Sequence, residues 1–291
     1  MIKYNIISPV RNEEDFVEDT IKSVINQTVL PQEWIIVNDG SADKTEEIIK
    51  PYLEQYNWIK LITLKDRGYY YPGTGVVQVV NKGFEAITVN DWGFLVKLDC
   101  DITIEKDYFE NIFDEFNKNP KLGIASGGIF LVDGSKIIQE KSQPDHPWGA
   151  SKIYRRKCFE QIKGWKPIPG WDLADLLSAQ MNNWETRCFN EYRILHYRGT
   201  GTRRADITSG RFLLGRFHFR YGYGPFYTLT KSIYHLGEKP FLLGGISIFT
   251  GYIYAAVRNE DRLFEKDMRS FLRKKQSKYL KQKFNSLFSK K

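Results

Sequence analysis

The chain predicts an α/β fold, a doubly wound and mostly parallel sheet carrying a helical carboxyl-terminal appendage. Three observations predict it. Over the first hundred residues, short apolar runs alternate with segments of helical apolar spacing. Polar residues gather where the runs end, at 9–13, 38–41, 65–67 and 99–101, which is the edge where open parallel sheets bind ligands. Beyond residue 212 the character changes to aromatic and then basic.

Residues 4–8 form the first apolar run, stopped by Pro9 and followed by Arg11, Asn12, Glu13, Glu14 and a helical face of Phe16, Val17, Ile21, Val24 and Ile25. The second run, 34–37, ends in Asn38, Asp39, Gly40 and Ser41. Ser41 or Asp43 is placed to cap a helix running through Lys50. Residues 59–64 form the third strand. A Gly/Tyr/Pro-rich loop follows at 68–75, then a helix bearing Val76, Val77, Val80 and Phe84. The fourth strand, 92–98, stops at Asp99 and Asp101. Strand alternation predicts that the two carboxylates share one side. Closing a buried strand with two like charges is costly unless a cation lies between them, and a hard divalent ion such as Mg²⁺ or Mn²⁺ suits oxygen ligands. The alternative is a pair of solvated aspartates in a loop. Further strands are expected at 122–131 and 192–195, with a helix carrying Leu173, Leu176 and Leu177 between them.

Composition narrows the class. The net charge is +8, but residues 262–291 hold eleven Lys or Arg against two acids, a net of +9, so the rest is close to neutral. A nucleic-acid binder would spread its cations over the folded surface, and none is expected as partner. Three cysteines, Cys100, Cys158 and Cys188, lack metal-ligand spacing and predict a reducing compartment without disulfides. The first residues enter a strand pattern directly, and the expected location is cytoplasmic.

The segments SPVRNEEDFVEDTIKSVINQT, WIIVNDGSADKT and KLDCD resemble family-2 glycosyltransferases of the nucleotide-diphospho-sugar (GT-A) fold, and the likeness runs to about residue 205. Gly170, Trp171 and Asp172 resemble the GWD motif of bacterial members. The resemblance implies inverting transfer of a sugar from a nucleotide-diphospho-sugar to an acceptor hydroxyl. It implies a catalytic domain over 1–205, with a donor half to about 101 and an acceptor half over 102–205. Pro9 then supplies an apolar wall for the base and Asp39 an acceptor for its ring N–H, with Arg11 or Glu13 at the ribose or base edge. Asp39 is equally a turn residue before Gly40. The family's usual acid before Asp39 is replaced by Asn38. Asp99 and Asp101 are the implied metal ligands, with His196 completing the set and Asp99 also on the donor side. Arg67, Arg198 and Arg203 are the expected grips on the diphosphate. Asp172 is the implied base for the acceptor hydroxyl, and Asp175, three residues on, is the other candidate. The simpler reading of Asp172 is a helix N-cap. His146 and Trp148 are candidate sugar contacts.

Residues 206–291 are expected to associate with a membrane. Pro240 to Val257 carry no charge, at the lower limit for a transmembrane helix, and Gly244, Gly245 and Gly251 dilute the run. Leu263, Phe264, Met268, Phe271, Leu272, Tyr279, Leu280 and Phe284 recur at helical spacing among basic residues, the pattern of a helix lying on an anionic surface. An oligomer contact or packing on the catalytic domain are the alternatives. The expected setting is the inner face of the cell membrane, with a glycan or lipid-linked acceptor in surface-polysaccharide synthesis. A polyprenyl-phosphate acceptor is the neighbouring reading. A sugar-nucleotide pyrophosphorylase lacks its Gly-rich phosphate loop here, and a non-catalytic binding protein leaves Asp99, Asp101 and Asp172 without purpose.

Overall fold

The computed structural model describes residues 2–66, 68, 73–134, 136–197 and 207–288. The chain divides into two compact units, Met1–Gly199 and Thr200–Lys291.

In the first unit, strands β1 (Tyr4–Val10), β2 (Glu33–Asn38), β3 (Ile59–Thr63) and β4 (Phe94–Leu98) run parallel in the order β3-β2-β1-β4. Helices α1 (Val17–Ile25), α2 (Thr45–Gln55) and α3 (Thr74–Glu85) connect them. Beyond β4 the sheet turns mixed. Strand β5 (Ile102–Ile104), helix α4 (Tyr108–Lys118) and the long β6 (Leu122–Asp133) precede β7 (Lys136–Gln139) and β8 (Ser151–Arg155). Helices α5 (Arg156–Gln161) and α6 (Trp171–Met181) then lead to β9 (Glu185–His196). The sheet order continues β4-β8-β6-β9-β5, with β8 antiparallel to β4.

Alternation along the central strands divides the core between the two faces. Tyr4, Ile6, Trp34, Ile36, Phe94 and Val96 pack with Val17, Ile21, Phe109 and Phe113 of α1 and α4. Ile7, Ile35, Val37 and Leu95 pack with Val77 and Val80 of α3, Phe159 of α5 and Trp171 of α6. Both faces are covered, which explains the near-continuous apolar runs.

Several expectations change in detail. Ser41 and Asp43 do not cap α2 from its N-cap position, which Lys44 occupies without a side-chain bond. Asp43 instead accepts from the Thr45 amide at 3.1 Å. The strand expected at 192–195 starts at Glu185, and three short strands, β5, β7 and β8, lie outside the expected elements. The three cysteines are free and buried.

The second unit contains α7 (Ile207–Tyr221), α8 (Pro225–His235), α9 (Leu243–Val257) and α10 (Lys266–Phe288). Helices α7 and α9 meet backbone to backbone. A Cβ on Gly215 would lie 1.9 Å from the Ile248 carbonyl oxygen, and one on Gly251 2.0 Å from that of Phe212. Gly245 and Gly251, two of the glycines that dilute the uncharged run, are thus close packing contacts. Among the described residues no helix is long and apolar enough to cross a membrane. The basic helix also departs from expectation. Phe264, Met268 and Leu272 are buried within the unit, Phe264 stacking on Tyr221 at 4.8 Å, so this part of the apolar stripe is spent on internal packing.

Candidate active site

The carboxyl ends of the parallel strands carry the polar residues picked out by sequence. Pro9 is partly exposed at the end of β1. Just beyond, Arg11 donates from Nη1 to the Asp39 carbonyl at 3.0 Å and from Nη2 to Asp66 Oδ1 at 2.7 Å. Its guanidinium also lies 3.7 Å from the Asp39 carboxylate. Asp39 is buried, its amide held by the Val10 carbonyl at 2.9 Å. Gly40 follows at φ +68°, and a Cβ there would sit 2.5 Å from the Asp66 Cα. The turn therefore requires glycine both for its backbone angle and for the close passage of the third loop.

The first two strand-end loops are joined. The Asn12 amide donates to Ser41 Oγ at 3.0 Å, the Ala42 amide to Asn12 Oδ1 at 2.8 Å, and the Glu13 amide to Thr45 Oγ1 at 2.8 Å. Glu13 is buried in this junction. Asn38, standing where the family's acid is expected, accepts the Ser41 amide at 2.9 Å and donates to Glu46 Oε2 at 3.0 Å. An amide does both jobs, and a carboxylate there would face Glu46 as a like charge.

Strand β4 ends at Leu98, so Asp99 and Asp101 lie in its connection to β5, where strand alternation no longer governs. Asp99 and Lys97 are two apart and meet: Lys97 Nζ donates to Asp99 Oδ1 at 2.5 Å and to the Gly149 carbonyl at 2.7 Å. Asp101 faces His196, Oδ2 to Nε2, at 3.3 Å. Pairing of β5 with β9 sets His196 opposite Ile102, and the Tyr197 amide bonds the Asp101 carbonyl at 3.2 Å. Desolvation raises the Asp99 carboxyl, opposed by Lys97 and reinforced by the Asp101 charge. Burial works against a charged His196, but its bond to Asp101 and the charges of Asp101 and Asp99 outweigh this and raise its pKa.

Among the described residues no group of three or more His, Cys, Asp or Glu is arranged to hold a metal ion. Of the expected set, Asp99 is held by the Lys97 ammonium, while Asp101 and His196 face each other. Asp101 and His196, a carboxylate beside an imidazole, fit a divalent cation as a two-donor set.

Helix α6 begins behind Gly170, which holds the N-cap position, so Asp172 stands in the first turn and does not cap. Its carboxylate is partly exposed, whereas Asp175 is buried. Asp175 receives Lys152 Nζ at 3.2 Å and the Tyr154 hydroxyl. Burial lifts its carboxyl to about 6 against the pull of Lys152 and Tyr154. Lys152 also bonds the Asp172 carbonyl at 2.9 Å. Lys97 and Lys152 are cross-strand partners, and both ammoniums lie over the Trp171 ring, at 5.6 and 5.3 Å. Sequence reading passed over both lysines. The signal for Lys97 was its spacing of two from Asp99, while Lys152 sat in a strand that had not been recognised.

Trp148 is half-buried against the core, its amide bonded to Ser126 Oγ at 2.7 Å, and His146 is partly exposed nearby in the chain. Arg67, Arg198 and Arg203 lie outside the described residues.

Poly-beta-1,6-N-acetyl-D-glucosamine synthase of Staphylococcus epidermidis is 31% identical over 127 residues, covering 44% of this chain and 28% of that protein. The same synthase from Staphylococcus aureus is 28% identical over 127 residues. The chain thus spans just over a quarter of the length of these curated relatives. Among solved structures, S. aureus TarS 1–349 superposes with a TM-score of 0.54 at 15% identity, covering 89% of this chain and 73% of that one. The mannosyltransferase PcManGT from Pyrobaculum calidifontis, solved with GDP-Man and Mn²⁺, gives 0.53 at 14% identity, covering 99% and 88%. Both likenesses identify the fold as the GT-A type. The family profile "Glycosyl transferase family 2" matches residues 5–169, from the first strand to the turn before Trp171. On that match the chain belongs to glycosyl transferase family 2.

Proposed function

We propose that the protein transfers a sugar from a nucleotide-diphospho-sugar to a hydroxyl of a glycan or lipid-linked acceptor, with inversion, in the assembly of a bacterial surface polysaccharide. The observation that carries this reading is the bridge from Asp99 to the start of α6. Lys97 bonds Asp99 and lies over the Trp171 ring, so the donor-side carboxylate and Asp172 belong to one packed unit.

In this reading the base sits between Pro9 and Asp39, with Arg11 holding Asp39 in place. Asp101 and His196 would hold a divalent cation, which when bound offsets charge on the diphosphate. Asp172 takes the proton of the acceptor hydroxyl. The hydroxyl oxygen forms the new bond to the anomeric carbon, and the bond to the diphosphate oxygen breaks with its electron pair leaving on the nucleoside diphosphate. Asp175 serves as the buried partner of Lys152 and keeps α6 in position. The second unit is proposed to bring the chain to the inner face of the cell membrane, where a lipid-linked acceptor resides.

Thermal stabilisation by UDP and by GDP, each with and without Mn²⁺, tests the donor part. One nucleoside diphosphate should raise the melting temperature, and an Asp99→Ala, Asp101→Ala variant should lose that rise. A folded protein stabilised by neither would sink the reading.

A further inference from the structure

Among the described residues the second unit exposes large apolar side chains singly at Ile207, Phe226, Val257 and, on the basic helix α10, Phe284, but six of them gather at the tip of the hairpin made by α8 and α9. Ile233, Tyr234, Phe241, Leu242, Leu243 and Ile246 are each more than half exposed. They sit at the end of α8, in the connection and on the outward side of the first turn of α9. The inward side is fully used: Gly244, Gly245 and Ile248 are buried, and a Cβ on Gly245 would lie 2.2 Å from the Ser232 carbonyl oxygen. The core of the unit therefore has no need of the outward six. Leu242 also adopts φ +61° with ψ −50°, a positive-φ conformation that L side chains rarely take, and it gains no burial in return. A contiguous apolar patch held at such a cost marks an interaction surface.

Its charges choose the partner. From residue 222 to 259 the only acid is Glu238, and it is bound by Arg211 and by His235, each at 2.7 Å. The charges left at the tip are the cations Lys231 and Lys239. A second copy seated by two-fold symmetry would set these cations against themselves. An anionic bilayer instead takes the apolar side chains among its acyl chains and the ammoniums among its headgroups.

We propose that the α8–α9 tip is a wedge that inserts into the interfacial layer of an anionic membrane, with α10 contributing mainly the attraction of its cations. This rests on the membrane part of the function proposed above and reassigns which residues make the contact. It is independent of sugar transfer, since vesicle binding is read without any nucleotide.

The test is co-sedimentation of the full chain with vesicles of phosphatidylcholine alone and of phosphatidylcholine with phosphatidylglycerol. The chain should bind the anionic vesicles preferentially. A Phe241→Gln, Leu243→Gln, Ile246→Gln variant should bind them at least about tenfold more weakly with unchanged thermal unfolding, since three large apolar side chains leave the contact. A separate Phe241→Trp variant, conservative in size, should show blue-shifted emission on anionic vesicles. Unchanged binding by the triple variant, or no shift in the Trp variant, overturns the proposal. So does self-association of the wild type that the triple variant abolishes without vesicle binding in either, because the partner is then a second copy.

Discussion

Lys152 on β8 and Asp175 on α6 form an ion pair 3.2 Å apart from which water is excluded, the lysine side chain wholly buried and the aspartate 3% exposed. Removing one member leaves the other charged in the core. Asp175→Ala should therefore lower unfolding free energy by about 3–5 kcal/mol, read by urea denaturation. The paired replacement Lys152→Met, Asp175→Leu should recover most of it. A single variant as stable as the wild type would show that the pair is open to solvent.

Asp172 is predicted to behave in the opposite way. Its carboxylate is partly exposed in the first turn of α6 and makes no cap. Asp172→Asn should leave stability and nucleotide affinity unchanged while transfer falls by about 10²–10⁴-fold, the range of a lost general base. If Asp172→Asn transfers sugar normally, the base lies elsewhere.

Asp39 offers a buried carboxylate steadied by Arg11. Asp39→Ala should weaken binding of the matching nucleoside diphosphate by about 1.5–3 kcal/mol, the worth of a charge-assisted bond, measured by calorimetry. Arg11→Ala should weaken it less, because the loop retains its bonds through Asn12 and Glu13. Equal affinity in Asp39→Ala would make this residue a turn former only.

Acid should loosen the second unit through His218. Burial, then the charges of Lys231 and His235, depress its pKa from an ordinary 6.5 to about 3. The ring stacks on Tyr223 at 4.4 Å. The unfolded chain takes up a proton that the folded one refuses, so this stability is whole above pH 6.5 and is lost as pH falls towards 3. The slope is at most about 1.4 kcal/mol per pH unit. Unfolding midpoints at pH 7 and pH 5 should separate for the wild type and move closer together in His218→Phe. Equal separation in both would assign the effect to other groups.

Much of the first unit was readable because burial on both faces leaves little room for polar residues in the central strands. Where a strand carries charge, that signal fails. Strand β8 reads Ser-Lys-Ile-Tyr-Arg, and Lys152 is tolerated only because Asp175 waits on a helix twenty-three residues later. The first half of β9 sets buried Thr186 and Cys188 beside exposed Glu185 and Arg187 and then breaks the alternation at buried Phe189, a weaker pattern than an apolar run. Strand β5, Ile-Thr-Ile, has strand-favouring residues but at three residues is too short to stand out without its partner β9. At the candidate site, the residue types at the strand ends were legible, but not their pairings. Lys97 and Asp99 are at least close in sequence, whereas Asp101 with His196 needed a strand register that no local pattern encodes.

The bonds that join Asn12, Glu13 and Ser41 across the first two loops bear on how a nucleotide would be discriminated. Loops already fastened to one another have surrendered their conformational freedom during folding, so docking of a base there need not order them again. Differences in affinity among nucleobases would then report the fit of Pro9 and Asp39 directly, with little heat-capacity signature of coupled folding, and mutations in the fastening residues would show up as slower association more than as altered base preference.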